Sequence, residues 1–340
     1  MSTIVQDKPA NSPPQFLKKA FVRLGILPFL LVLALIVFSA MSRQFFAVEN
    51  LTNVVRQSVF LVIVSLGQMM VLLAGGFDLS VGTIIALTSV VTATAMAAAA
   101  VAFPDAIPFA IMLGCLAGAL AGAVIGAING TGVAFFGVSP FIMTLGVSSI
   151  GFGVALFMTG GTPVYGMPPA FGNTIGFGRF IGVPTPIWIA IVLIGLSYLL
   201  VNWTRYGRAL YAVGGNSRAA LLSGINTSRT QFFVYLLSAL LSSIAGVLLT
   251  ARLDSGEANI GSSMPLESIA ACVIAGVSLR GGIGKVENVV LGAVFINIVQ
   301  NGMNLGQIES YLQTVVIGVI LIFAVIADQL RLRYVADLRD

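Results

Sequence analysis

The sequence predicts an all-α, polytopic membrane protein with about ten transmembrane helices. Three observations predict it. Only 9% of the 340 residues are charged and 58% are hydrophobic, whereas a soluble domain needs about a quarter charged residues to solvate its surface. Apolar runs long enough to cross a bilayer recur along most of the chain. Thirty-eight glycines suit helices in lipid, where small residues let backbones approach.

Residues 1–23 are polar, with Pro9, Pro13, Pro14 and the basic residues Lys8, Lys18, Lys19 and Arg23; they read as a cytoplasmic tail. The run 24–42 is longer than the apolar core of a signal peptide, about 7–15 residues, and lacks a small-x-small cleavage site, so it reads as a retained first helix. Further spans are expected at 58–74, 80–101, 108–128, 140–159, 186–202, 230–250, 266–279, 287–303 and 311–327. They form one transmembrane domain over 24–328, closed by a cytoplasmic tail at 329–340. The eighth span is short and bordered by Gly276 and Gly281-Gly282, which suits a half-helix or a shallow entry into the membrane.

Ten crossings put both termini on one side, and the basic residues say which. With the N-terminus inside, thirteen Lys and Arg fall in cytoplasmic segments, and only Arg43, Arg56, Arg179 and Arg252 fall outside. That segregation obeys the positive-inside rule. The longest inside loop, 203–229, has room for structure of its own. The longest outside loop, 160–185, is rich in Gly and Pro, as a plain connector or a surface for an external partner would be. A weak echo relates Val71-Leu72-Leu73…Asp78 to Val247-Leu248-Leu249…Asp254. It lays helices 2–5 over helices 7–10 as an inverted repeat, a device of transporters.

Several chemistries are excluded. There is no histidine, which removes His-based triads, H-E-x-x-H zinc sites and histidine proton relays. Cys115 and Cys272 sit in apolar runs as small buried residues, not a disulfide or metal pair. The +5 charge is scattered between spans rather than gathered in a patch, so it serves topology at the lipid surface, not nucleic acid. Glu267, Glu287, Glu309 and Asp328 fall at expected span ends, leaving no clear carboxylate in an apolar centre for ion coupling. Gly284-Lys285 is followed by Val286, and Leu279 stands where a P-loop needs glycine. The chain therefore carries no cofactor of its own, and any Mg-ATP belongs to a partner.

Four features stand out. Gly114, Gly118, Gly122, Gly126 and Gly130 recur every four residues in the fourth span and make one ridge without side chains, built for close packing within the chain or against a second copy. Asp78, in Gly75-Gly76-Phe77-Asp78-Leu79-Ser80-Val81-Gly82, reads either as a helix cap or as part of a broken helix lining a path. Ser80, Asn129, Ser139, Thr144, Asn297, Asn301 and Asn304 supply neutral hydrogen-bonding groups, suited to a hydroxyl-rich solute or to holding helices together. In the inside loop, Asn216 or Ser217 caps a short helix over 218–223 that Gly224 ends, a docking element or an interfacial connector.

The segment 75–82, the loop Gly214-Gly215-Asn216-Ser217-Arg218-Ala219-Ala220 running on to Ser223-Gly224-Ile225-Asn226, and Asn301-Gly302-Met303-Asn304-Leu305 resemble the permeases of ribose-type ABC sugar importers, in the branched-chain amino acid/ribose permease superfamily. The resemblance spans about 45–335 in matching order. It departs slightly at Phe77 and Ser217. It implies a ten-helix subunit of the bacterial inner membrane, paired with a second permease copy, with ATP-binding subunits beneath and a periplasmic sugar-binding protein above. By that similarity, 214–226 is the coupling helix that sits in a cleft of the ATPase. The expected function is uptake of a neutral, ribose-like monosaccharide without chemical change. The alternatives are another small polar solute, such as a polyol or an autoinducer, or an ion-coupled carrier. An intramembrane enzyme lacks the needed nucleophile–base sets.

Overall fold

The computed structural model describes residues 26–337, with side chains through 327. The expected tail at 1–23 lies outside the described residues, as do the side chains of the tail at 329–340.

Each expected span is a helix: α1 (Leu27–Met41), α2 (Val48–Leu73), α3 (Val81–Ala102), α4 (Ile107–Ala134), α5 (Pro140–Thr159), α7 (Thr185–Trp203), α10 (Thr227–Leu253), α11 (Met264–Ile274), α12 (Val286–Leu305) and α13 (Ser310–Asp337). Eight are long and apolar enough to cross a membrane; α1 and α11 are shorter. Proline occupies the first turn of α1, α4, α5, α7 and α11, where its missing N–H breaks no helix bond. The loop 160–185 holds the single turn α6 (Pro169–Phe171), a π-turn at Gly172–Gly176 and a hairpin of β1 (Arg179–Phe180) and β2 (Val183–Pro184).

Helix α2 is the axis of the bundle. Every residue from Ser58 to Leu73 is buried, because α7, α10, α11 and α12 pack around it. It begins ten residues before the expected boundary, its polar first turns (Glu49, Asn50, Asn53, Arg56) standing beyond the apolar run. Helix α4 is two-faced. Its glycine ridge is buried, whereas Leu113, Leu116, Leu120, Val124 and Ile128 are exposed, the stripe a helix turns to lipid.

Loops expected on one side meet one another. Val164 and Gly256 exchange backbone hydrogen bonds of 2.8 Å outside; Gly282 N–H donates to Leu73 O at 2.9 Å inside. Helix α11 stops at Ile274, before Gly276 (φ 83°). Its 11 residues rise about 16 Å, half a bilayer core. It is a half-helix, so Glu267, which the sequence places at a span end, lies in the interior. There it is buried and accepts from Gln300 Nε2 at 3.0 Å.

The reversals 74–80 and 254–263 both lead back into the bundle. The helices they launch meet: a Cβ on Gly82 would lie 2.6 Å from Gly261 O and 3.1 Å from Pro265 Cδ. Under the expected repeat α3 corresponds to α11, yet α3 has 22 residues and α11 has 11.

Candidate functional site

Two regions gather the residues singled out by sequence: a polar cluster at the start of α3, and a helical segment on the face that the basic residues assign to the cytoplasm.

The cluster forms because the chain breaks helix at Gly75 (φ 79°) and stays irregular until α3 starts after Ser80. Asp78 is completely buried. Its Oδ1 accepts from Ser80 N–H at 2.9 Å and Ser80 Oγ at 2.6 Å; its Oδ2 accepts from Ser238 Oγ of α10 at 3.1 Å. Asn129 Nδ2 of α4 donates to Ser80 Oγ at 2.7 Å, and Thr144 Oγ1 of α5 accepts from Leu79 N–H at 3.1 Å. Asp78, Ser80, Asn129 and Thr144 thus converge, and the carboxylate ties the entry of α3 to α10; the N-cap of α3 is Ser80, with no side-chain cap bond, so Asp78 holds the cap residue and is not itself the cap. Sequence reasoning missed Ser238 and Tyr235, whose Oη donates to Phe77 O at 3.4 Å. They lie some 160 residues along the chain from their partners, and no local pattern marks them.

The second region is α8 (Arg205–Gly215), which the sequence did not reveal, followed by α9 (Ser217–Leu222). Asn216 Oδ1 caps α9 by accepting from Ala219 N–H at 2.9 Å. Gly224 (φ 83°) ends it, with Gly224 N–H donating to Leu221 O and Ile225 N–H to Ala220 O, each at 3.0 Å, and Ser223 Oγ donating to Ala219 O at 2.9 Å. Gly215, Asn216, Ser217, Arg218 and Ala219 are exposed and Ala220 is buried. Leu221 and Leu222 stand 59% and 84% exposed, an apolar edge with nothing over it.

Helix α8 is bolted to the bundle. Tyr206 Oη donates to Thr230 O of α10 at 3.2 Å, and Tyr211 Oη to Gly284 O at 2.7 Å. Burial raises the pKa of both phenols, Tyr211 further because of the Glu287 carboxylate, so both donate as neutral groups near pH 7. Gly214 abuts Leu73 O, and a Cβ there would also lie 2.6 Å from Gly282 N; one on Gly281 would lie 3.0 Å from Gly75 N. Glycines from three segments therefore meet under the last turn of α2.

A profile of the branched-chain amino acid transport system / permease component family matches residues 50–325. The chain belongs to that permease family. It is 37% identical over 304 residues to the Ribose import permease protein RbsC of Bacillus subtilis (strain 168), covering 89% of this chain and 92% of the relative. The Escherichia coli (strain K12) protein of the same name is 39% identical over 302 residues, covering 88% and 91%. The D-allose transport system permease protein AlsC of the same strain is 36% identical over 303 residues, covering 89% and 90%. No solved structure matches the chain.

The other polar residues of this permease lie apart from the Asp78 cluster. Ser139 precedes α5, exposed and making no side-chain cap. Asn297 Nδ2 donates to Ala293 O within its own helix at 3.1 Å. Asn301 and Asn50 exchange two amide bonds of 3.0 and 2.9 Å, joining α12 to α2. Exposed Asn304 accepts from Gln313 Nε2 of α13 at 2.7 Å. The glycine ridge packs within the chain: Gly114 and Gly118 against α3, Gly122 between Ile84 and Ser243, Gly126 and Gly130 against Tyr235–Ala239 and Phe232 of α10.

Proposed function

We propose that this permease is the transmembrane subunit of an ATP-binding-cassette importer that takes up a neutral, ribose-like monosaccharide across the bacterial inner membrane. The observation that carries this reading is α9: a capped, exposed helix with two bare leucines, fixed through Gly214 to the end of the central helix. Such an element fits the cleft of a separate ATPase, which binds the Mg-ATP; this chain binds no cofactor and leaves its solute unaltered. Closure of the ATPase pair pushes α9, and the junction of Gly214, Leu73 and Gly282 passes the movement to the 74–80 reversal, a switch of hinge-and-shear type. Relatives named for ribose and D-allose are equally similar, which supports a monosaccharide and leaves the particular sugar to a periplasmic binding protein. That protein would meet the 160–185 loop, whose Tyr165, Phe180 and Ile181 are exposed. A second permease copy completes the path.

The test is Leu222→Glu. The variant keeps the melting behaviour of the parent, because Leu222 touches little, but no longer co-purifies with its ATPase and loses ATP-driven uptake. Unchanged ATPase capture would refute the docking role. The buried carboxylate of Asp78 favours one second reading, an ion-coupled carrier. Vesicles holding the chain alone decide it: sugar uptake driven by an ion gradient would replace the ABC reading.

A further inference from the structure

On the cytoplasmic side a cavity of about 790 Å³ opens between the starts of α1 and α12, the end of α7 and the later turns of α13. That is the size of a small-molecule pocket, about 300–1,000 Å³. Its walls change character with depth. Leu31 of α1, Leu291 of α12 and Ala324 of α13 line the part nearer the bilayer centre, whereas Asn202 of α7, Lys285 and Glu287 line the rim. Glu287 and Leu291 are one helical turn apart, about 6 Å, so charge gives way to hydrocarbon over the same short distance as in a phospholipid. Toward α8 the cavity ends at Tyr211, whose Oη is bonded to Gly284 O at 2.7 Å.

The rim lies at the depth of the lipid headgroups. Trp203, next to Asn202, is 74% exposed, and such indoles gather at the membrane–water interface. Val32 and Leu199, the neighbours of the lining residues Leu31 and Tyr198, are exposed as well, so the cavity borders the apolar surface that meets acyl chains. Lys285 and Glu287 are exposed, and neither joins an ion pair among the described residues. One cation and one carboxylate, two positions apart, therefore stand above an apolar slot. A purely anionic head would suit Lys285 and be repelled by Glu287. A choline head would offer Glu287 no N–H donor.

We propose that this cavity binds a zwitterionic phospholipid with a primary ammonium head, phosphatidylethanolamine, from the cytoplasmic leaflet. The lipid phosphate lies at Lys285, its ammonium donates to the Glu287 carboxylate, and its acyl chains run past Leu31 and Leu291. Each head contact is a charge-assisted hydrogen bond, and the chains fill an apolar slot that water would occupy poorly. The lipid also backs the wall formed by Gly282, Ile283 and Gly284, the segment to which Tyr211 ties α8. The site is independent of the solute that the permease carries.

The experiment titrates the full chain in detergent with phosphatidylethanolamine, phosphatidylcholine and phosphatidylglycerol of identical acyl chains, reading bound lipid by native mass spectrometry. The parent should retain one phosphatidylethanolamine with a Kd about fivefold below those of the other two, the factor that one solvent-exposed ion pair supplies. Glu287→Gln should erase the preference over phosphatidylcholine and leave phosphatidylcholine binding as it was. Leu291→Trp, which fills the slot, should lower retention of all three lipids. Glu287 and Leu291 are both exposed, so each variant should melt like the parent in lipid-free detergent, which separates lost lipid from lost fold. Equal retention of the three lipids by the parent would overturn the proposal, as would a preference that survives Glu287→Gln or retention that survives Leu291→Trp. So would a chain that takes up lipid only after residues 2–23 are deleted, because its own tail would then be the occupant.

Discussion

Helix α4 offers the sharpest quantitative test, because its glycine ridge meets different atoms at successive turns. At Gly122 an added Cβ runs into Ser243 Oγ and lies 3.0 Å from Ile84 Cγ2; at Gly126 it meets the Ala239 methyl, 2.9 Å from Tyr235 O and 3.1 Å from Leu236 Cα. The first obstacle is chiefly a single hydroxyl. The second is largely backbone. Overpacking by one methyl costs about 1–3 kcal/mol, so each alanine variant should lose that much. Adding Ser243→Ala to Gly122→Ala removes the colliding oxygen and should recover most of the loss, a coupling larger than about 0.5 kcal/mol for residues in contact. Adding it to Gly126→Ala should recover nothing. Gly122→Leu adds three more carbons and forces α4 off both α3 and α10. A gap of about 0.5–1 Å already forfeits a quarter to a half of the contact energy, and the ridge runs the length of the helix. The loss then rivals a whole stability of about 5–15 kcal/mol. Thermal unfolding of the purified chain in detergent measures the alanine variants; membrane fractionation with gel filtration shows Gly122→Leu inserted but aggregated. A Leu variant with parental melting and transport, or equal rescue at both glycines by Ser243→Ala, would refute the reasoning.

Three further outcomes are expected. Asp78→Ala removes both carboxylate oxygens, so Ser80 N–H, Ser80 Oγ and Ser238 Oγ lose their buried acceptor, at a cost of about 1–3 kcal/mol. Chemical unfolding should report that loss, and normal ATP-driven uptake by this variant would confine Asp78 to holding the start of α3 against α10. Asn50→Ala and Asn301→Ala break the same reciprocal pair, so the double variant should lose little more than either single one, about 0.6–1.7 kcal/mol by melting, with uptake spared. Gly214→Ala places a methyl against Leu73 O and Gly282 N; ATP hydrolysis by the assembled complex should continue while sugar moved per ATP falls, and unchanged coupling would show that the junction carries no motion.

Much of the architecture was legible. The helices fall on the expected apolar runs because burial in lipid demands about twenty apolar residues in succession, a property of the chain read locally. Asn216 caps α9 and Gly224 ends it for reasons confined to a few residues. The glycine ridge was visible as a four-residue period, though nothing in it said whether it packs against its own chain; the structure places α3 and α10 there. Helix α8 was missed because its eleven residues (Arg205–Gly215) mix glycine and arginine with too few apolar positions to mark a span.

Sequence alone determined how many apolar segments there are, which faces their basic ends prefer and where short helices start and stop. These follow from hydrophobicity, charge and capping acting over one or two turns. Tertiary structure decided which polar groups meet: Asp78 with Ser238, Asn50 with Asn301, and Glu267 with Gln300. Such pairings join residues far apart along the chain, and they depend on how rigid helices cross and where a half-helix such as α11 begins. Local patterns carry no record of that geometry.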